Sequence, residues 1–320
     1  MNINSGEIIS LVSLPDFDIN KRKSISDKKY INRATKGVYE FGSVFKTFTI
    51  AAGFDEKLIK PKQMFNNLEK KINCGGRTIS EYDEDLSQNL SVEEILINSG
   101  NIGSVRIGQK LGVEKIKNFL NRIGILGNIT FDITEIGTPV PFNWGKCKLL
   151  TVSFGHGITT TLLQLAKGYA IISNGGYDIT PTLVKGENIN YGKKRRVLSK
   201  DVSLKMNKIL RRVVTEGTAS LADVKGYDVG GKTGTALIVE NGKYTKKKIN
   251  TFASIFPSNE PRYVLIVMLE DTKLSKDYVY NYRNKPGSFV GTPFNTAGWT
   301  SVEVAAKIIE QIGPILATKY

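Results

Sequence analysis

Ser43-Val-Phe-Lys46 sets a hydroxyl and an amine three residues apart, on one face of a helical turn. Serine is a weak nucleophile until a neighbouring base takes its proton, and lysine can be that base when its amine is held neutral. The composition favours this choice. The chain has one histidine, His156, which leaves little room for a histidine-based triad, a multi-histidine metal site or a histidine relay. A helix start adds backbone N–H groups and positive potential beside the serine, which suits an oxyanion. Alone the pair is a weak signal. An S-x-x-K arises by chance on the order of once or twice in a lysine-rich chain of this length, and a solvated helical lysine beside an incidental serine looks the same.

A second element is Lys232-Thr-Gly234, inside Gly230-Gly-Lys-Thr-Gly-Thr-Ala236. Lys232, Thr233 and Thr235 along an extended segment can grip a carboxylate. Gly234 removes a side chain where a ligand backbone could lie against the strand edge. The rival is a phosphate loop, since Gly226-Tyr-Asp-Val-Gly-Gly-Lys-Thr233 matches G-x-x-x-x-G-K-T. Its context argues against it, because a strand-like segment follows where a helix is needed. A third element, Ser-x-Asn, occurs as Ser87-Gln-Asn89 and Ser99-Gly-Asn101. The second, between two short helices, is the better candidate, with Ser99 and Asn101 presented by a turn. The first reads as a helix-leading loop.

These groups need elements to hold them. The 320 residues are 40% hydrophobic, enough for a sizeable core. The longest apolar stretch, Tyr263–Leu269, falls far below the roughly 20 residues that cross a bilayer. Glu7, Asp16 and Asp18 interrupt any signal-peptide core. Asn4-Ser5-Gly6 reads as a turn and Glu7–Ser13 as a strand ending at Pro15, with only three residues before the turn to pair with it. The chain is therefore expected to be the C-terminal portion of a longer protein, cut inside its first hairpin.

Helices are expected from Gly42, with Gly53 as a stop, then after the Ser91-Val-Glu-Glu94 capping box, over Gly103–Leu111, Val113–Ile123, Thr160–Ser173 and Asp201–Glu216. Strands are expected over Tyr227–Val239, Asn250–Phe256 and Arg262–Glu270, with a hairpin turn at Asn241-Gly242. A last helix should follow a capping box at Thr300-Ser-Val-Glu303. Residues 16–37, 54–90 and 124–150 read as irregular. The pattern is α+β: strands from both ends meet in an antiparallel sheet flanked by helices, with a mostly helical subdomain at about 54–200 inserted in one domain spanning 1–320.

The formal net charge is +15. The basic residues cluster in apparent loops at Lys21-Arg-Lys23, Lys193-Lys-Arg-Arg196 and Lys246-Lys-Lys248, without a nucleic-acid motif, so they read as a solvated surface. Two cysteines make neither a zinc site nor a disulfide framework. Cys74 and Cys147 are read as free thiols, with a disulfide left open for an oxidising compartment. The Tyr278–Tyr282 segment reads as a surface loop, with contact to a partner or a glycan as the other reading. His156 is read as holding local backbone, with a place in a substrate groove as the alternative.

In combination the motifs are more specific than apart: S-x-x-K, S-x-N and K-T-G begin at Ser43, Ser99 and Lys232, in that order. The chain here resembles the penicillin-binding transpeptidases and serine β-lactamases. Gly6–Asp18 is similar to the opening strand of monofunctional class B penicillin-binding proteins. Tyr39-Glu-Phe-Gly-Ser-Val-Phe-Lys46 is similar to their nucleophile segment, with Phe41 where proline is usual. Ser153-Phe-Gly-His-Gly157 and Thr161-Leu-Leu-Gln-Leu165 resemble another, with Leu162 replacing proline. Glu216-Gly-Thr218, Gly231–Ala236, Phe252-Ala-Ser254 and Pro261-Arg-Tyr263 extend the resemblance along nearly the whole chain. The division-specific, septal kind is the nearest.

The resemblance implies a serine D,D-transpeptidase. Ser43 would attack the carbonyl between the last two D-alanines of a peptidoglycan stem peptide, with Lys46 as base, held neutral by burial and by the charge of Lys232. Backbone N–H groups of Ser43 and Thr235 would bind the oxyanion. Ser99 would relay the proton, Asn101 would bind the peptide amide, and Lys232, Thr233 and Thr235 would hold the terminal carboxylate. β-Lactams would acylate Ser43. The resemblance implies no cofactor, no metal and no nucleic acid. It implies division or cell-wall synthesis proteins as partners, and a place on the periplasmic face of the inner membrane through an anchor upstream of this chain. A β-lactamase, a D,D-carboxypeptidase and a non-catalytic β-lactam sensor remain as alternatives.

Overall fold

The structure, a computed structural model, describes residues 1–21, 28–186, 195–240 and 242–319. A 3-10 turn at Gly42–Phe45 leads into α1 (Lys46–Asp55). Then come β1 (Met64–Phe65), a hairpin of β2 (Lys71–Cys74) and β3 (Arg77–Ser80), and β4 (Leu90–Ser91), which pairs with β1. Helices α2 (Val92–Ile97), α3 (Asn101–Arg122), α4 (Lys146–Val152), α5 (Leu162–Ser173) and α6 (Lys200–Thr215) follow. The long strands β5 (Gly230–Glu240), β6 (Lys243–Phe256) and β7 (Tyr263–Glu270) form an antiparallel sheet in that order. A small hairpin, β8 (Val279–Asn281) and β9 (Ser288–Val290), precedes α7 (Ser301–Lys319). The α+β expectation holds.

The sheet explains its own sequence. Residues 249–256 of β6 are buried without alternation, as a central strand covered on both faces must be. Helices α5, α6 and α7 all pack on the sheet. Residues 1–3 extend it past β7: Ile3 N donates to Arg262 O at 2.9 Å and Val264 N donates to Met1 O at 2.9 Å. The turn at Asn4–Gly6 forms as expected, with Gly6 at φ +83°. The strand expected over Glu7–Ser13 does not form. Glu7 makes a single bridge to Thr182, and Val12 and Leu14 beyond it are exposed, with no neighbouring strand alongside among the described residues.

Helix α1 is buried on every side from Lys46 to Phe54. Phe48 packs edge-on against Phe45 and Tyr169, and the Tyr169 hydroxyl bonds Thr47 Oγ1 at 2.8 Å and Val44 O at 3.1 Å. Gly53 is no stop. The helix runs two residues further, and a Cβ on Gly53 would fall 2.5 Å from Ile59 Cδ1, so the glycine serves close packing. The two helices expected between residues 103 and 123 are the two limbs of α3, parted by Gly112 at φ +74°. The capping box expected at Ser91 forms, and the structure shows a second, not expected, at Thr161 with Gln164. The one expected at Thr300 does not: Thr300 Oγ1 donates to Thr296 O, and the Glu303 carboxylate is held by Arg283 and Tyr278.

Other readings change. The irregular segment 54–90 holds three short strands and part of a fourth. Tyr280, in the segment read as a surface loop, is buried, and its hydroxyl donates to Trp299 O at 2.7 Å. Lys246–Lys248 lie on β6 and not in a loop. Arg22–Lys23, Lys193–Lys194 and the hairpin residue Asn241 lie outside the described residues. Cys74 and Cys147 are not free: they form a disulfide that ties the β2–β3 hairpin to α4.

Candidate active site

Strand β5 is an outer strand, so its side away from β6 offers unpaired backbone groups to whatever lies there. Part of that edge is taken by the nucleophile segment. A Cβ on Gly234 would meet Phe41 O at 2.2 Å and Val44 Cγ2 at 2.6 Å, and one on Gly42, at φ +54°, would meet Thr235 O at 2.6 Å. The space beside Gly234, expected to admit a ligand backbone, is filled by the chain's own Phe41 and Val44. These glycines let the Ser43 turn close onto the Lys232–Thr235 segment. Within the turn Gly42, Val44 and Phe45 are buried, while Ser43 is only half-buried.

Lys46 opens α1 one turn after Ser43 and is fully buried. Its Nζ donates to Ser99 O, to Ser99 Oγ at 3.2 Å and to Asn101 Oδ1 at 2.6 Å. Three acceptors match the three N–H bonds of an ammonium. In the neutral amine one of these contacts reverses, and Ser99 Oγ–H is the group able to donate to the lone pair. Lys232, also fully buried, comes from the opposite side and donates to Ser99 Oγ at 2.9 Å and Thr233 O at 3.0 Å. Ser99 Oγ therefore sits between the two amines. Ser99 holds φ +61°, a left-handed conformation that is uncommon for a residue with a side chain.

Burial governs the electrostatics. It brings the Lys46 ammonium down to about 7, against a smaller upward pull from the Glu81 carboxylate. Lys232 also lies well below the usual lysine value, first through burial and then through the charge on Lys46. The repulsion expected to act on Lys46 thus falls on Lys232. No carboxylate bonds its amine among the described residues, so an incoming anion would stabilise its charged form.

The threonines are held from behind. Thr233 Oγ1 shares a hydrogen bond of 2.6 Å with Thr218 Oγ1. Thr235 Oγ1 donates to Asn250 Oδ1 at 3.1 Å and accepts from Ala297 N at 3.2 Å. The Asn101 amide is oriented by both ends, since Nδ2 donates to Ser80 O at 2.8 Å while Oδ1 accepts from Lys46. Its second Nδ2 hydrogen stays open to another acceptor.

Ser43, Lys46, Ser99, Asn101, Lys232, Thr233, Gly234 and Thr235 thus gather in one region, although distances tie only Lys46, Ser99, Asn101, Lys232 and Thr233 directly. Ser87 and Asn89 stay apart: Asn89 N donates to Ser87 Oγ and Asn89 Oδ1 accepts from Asn67 N, a local loop. Lys232–Thr233 belong to a long strand that runs on to Glu240 where a phosphate loop would turn into a helix, which removes that reading. His156 stacks between Phe154 and Tyr244, with its Nδ1 3.6 Å from Glu40 Oε2. A Cβ on the adjacent Gly155 would fall 1.9 Å from Gly42 O, so this turn presses on the nucleophile segment. Sequence reasoning missed Glu81, which caps α3, and Glu40, which accepts from the Tyr244 hydroxyl. Glu40 stands in the nucleophile segment but drew no role of its own, and Glu81 lies in a stretch without periodicity.

The family described as penicillin binding protein transpeptidase domain matches residues 1–286. The chain is 31% identical over 329 residues to a Caulobacter vibrioides protein named "Probable peptidoglycan D,D-transpeptidase FtsI", covering 99% of this chain and 53% of that protein. It is 31% identical over 298 residues to the Bacillus subtilis stage V sporulation protein D, covering 85% of this chain and 45% of the other. The chain spans about half the length of these curated relatives. In fold it is similar to the apo TP domain of Burkholderia pseudomallei penicillin-binding protein 3, with a TM-score of 0.80, 24% identity, and coverage of 98% of this chain and 86% of that one. With the match running over most of its length, the chain belongs to the penicillin-binding protein transpeptidase family.

Proposed function

We propose that residues 1–320 are the transpeptidase domain of a septal, class B D,D-transpeptidase that crosslinks peptidoglycan through an acyl-enzyme on Ser43. One observation carries the reading: two fully buried lysines, one brought down to about 7, converge on Ser99 Oγ beside a serine that heads a buried helix.

Ser43 Oγ adds to the carbonyl carbon of the penultimate D-alanine, and its proton passes to Lys46 Nζ. Backbone N–H groups of Ser43 and Thr235 hold the oxyanion. The carbon–nitrogen bond then breaks, and the departing D-alanine amine receives the proton from Lys46 through Ser99 Oγ. An amine of a second stem peptide attacks the ester, gives up its proton along the same path and restores Ser43–OH. Lys232, with Thr233 and Thr235, binds the terminal carboxylate, and Asn101 binds the peptide amide.

A β-lactamase needs a free base to activate water. The two nearby carboxylates are otherwise engaged, Glu81 with Asn101 N and Ile102 N, and Glu40 with Tyr244 and His156. This favours a long-lived acyl-enzyme. The names of the relatives support peptidoglycan as substrate, and the proposal extends to a longer parent protein anchored at the periplasmic face of the inner membrane and working with other division proteins. Labelling by a fluorescent penicillin tests the chemistry. The wild-type chain should retain label for hours and Ser43→Ala should take none; label on Ser43→Ala, or loss within milliseconds, would overturn the proposal. A fluorescent fusion of the parent protein should gather at the septum.

A further inference from the structure

Helix α3 begins at Asn101 with Gly100 as its cap, a residue with no side chain to satisfy the first free N–H groups. The missing acceptor comes from twenty residues earlier. Glu81 Oε2 accepts from Asn101 N at 2.5 Å and Oε1 accepts from Ile102 N at 2.8 Å. A carboxylate there also meets the positive end of the helix. The preceding residue adds a third bond, Ser80 O accepting from Asn101 Nδ2 at 2.8 Å. Ser80 and Glu81 thus grip Asn101 by backbone and side chain, and the grip points Oδ1 at Lys46. Ser99, two residues away, is held in its left-handed conformation, which persists only where the surroundings over-determine it. The platform is itself tied down, because β3, which ends at Ser80, belongs to the hairpin fastened to α4 by Cys74–Cys147.

We infer that Glu81 is a positioning residue: its carboxylate caps α3 and so fixes Ser99 and Asn101 against Lys46. The inference rests on the transpeptidase reading of that site. Glu81 acts electrostatically as well. The charged groups facing Lys46 are Lys232 from β5 and Glu81 from the segment after β3, and Glu81 alone favours the ammonium. It pulls Lys46 toward the ammonium form, against the larger effect of burial.

The experiment uses the full chain with Glu81→Gln, Glu81→Asp and Glu81→Ala. Acylation by a fluorescent penicillin is followed against pH, with the folded fraction measured by circular dichroism. Glu81→Ala should slow acylation by roughly tenfold to a hundredfold, the size of effect that misplaced groups produce. Glu81→Gln should move the acid limb to lower pH, since removing the negative charge favours the neutral amine. Glu81→Asp, which keeps the charge, should recover much of the rate and hold the limb near its wild-type place. Rates that fall only with the folded fraction, at an unmoved limb, would overturn the inference. A carbon-13 NMR titration of the Lys46 side chain gives a second reading. Its midpoint should fall in Glu81→Gln, and an unchanged midpoint counts against Glu81. If the wild type is not acylated at all, the transpeptidase reading fails, and the titration alone decides for or against Glu81.

Discussion

Lys232 Nζ stands 2.9 Å from Ser99 Oγ, a contact that joins the outer strand of the sheet to the left-handed residue before α3. Lys232→Met keeps the apolar stem and removes the amine. Acylation should fall by about a hundredfold to a thousandfold, the usual effect of losing one charge-stabilising donor. Stability in urea should stay equal or rise, because a buried amine without a carboxylate partner is exchanged for a well-packed thioether. A clear loss of stability would show that the Lys232 amine holds the fold.

Burial sets the pH range of the reaction. With Lys46 at about 7, the acylation rate should climb as pH rises through about 7 and level off above it, measured with a fluorescent penicillin. Stability follows the same direction. The folded value lies below the ordinary 10.5, so between about 7 and 10.5 the unfolded chain binds the extra proton and stability rises with pH. Lys46→Met should flatten the part of that slope due to Lys46. An equal slope in the two proteins would contradict a depressed Lys46.

The disulfide closes a loop across a sequence separation of 73 residues. Cys74→Ser/Cys147→Ser should lose at most about 4 kcal/mol in chemical denaturation, the loop-closure value for that length. Reductant should lower the wild-type midpoint and leave the double variant unmoved. Acylation should slow as well, because the hairpin that holds Asn101 is released.

Gly234→Ala places a methyl 2.2 Å from Phe41 O, where backbone has to move. A loss of about 1–3 kcal/mol is expected, with a further fall in acylation as the Ser43 turn shifts from β5. Gly145→Ala is the control, since it opens onto empty space in an extended conformation. Equal behaviour of the two variants would rule out the tight fit at Gly234.

The long elements were legible because each carries a complete local signal. Strand β6 follows an Asn-Gly hairpin signal and carries four Ile and Phe residues between 249 and 256, α5 has an apolar helical run and α6 a one-sided apolar face. The candidate site was proposed from three short motifs, each of which places polar groups within a few residues, and the fold brings Lys46, Ser99, Asn101 and Lys232 together. What lay hidden depends on distant partners. Glu81 caps a helix twenty residues away, and nothing near it in sequence announces a helix end. Gly53 looked like punctuation because the packing of Ile59 and of distant Ile107 over it is set by the fold. Glu7–Ser13 has the alternation of a strand, yet pairing needs a neighbour that only the fold can supply. The cysteine pair was misread for the same reason, since two thiols far apart in the chain reveal no geometry.

Helix α1 is enclosed on all sides from Lys46 to Phe54. Any change in it must be answered by α3, α5 and α6 together, so the floor of the candidate site can drift only as a unit. The strands of the β8–β9 hairpin, exposed at every residue but Tyr280, stand under no such restraint and can exchange residues while that floor stays where it is. In a lineage of such proteins, the floor would be inherited nearly unchanged and variation would gather at the exposed hairpin.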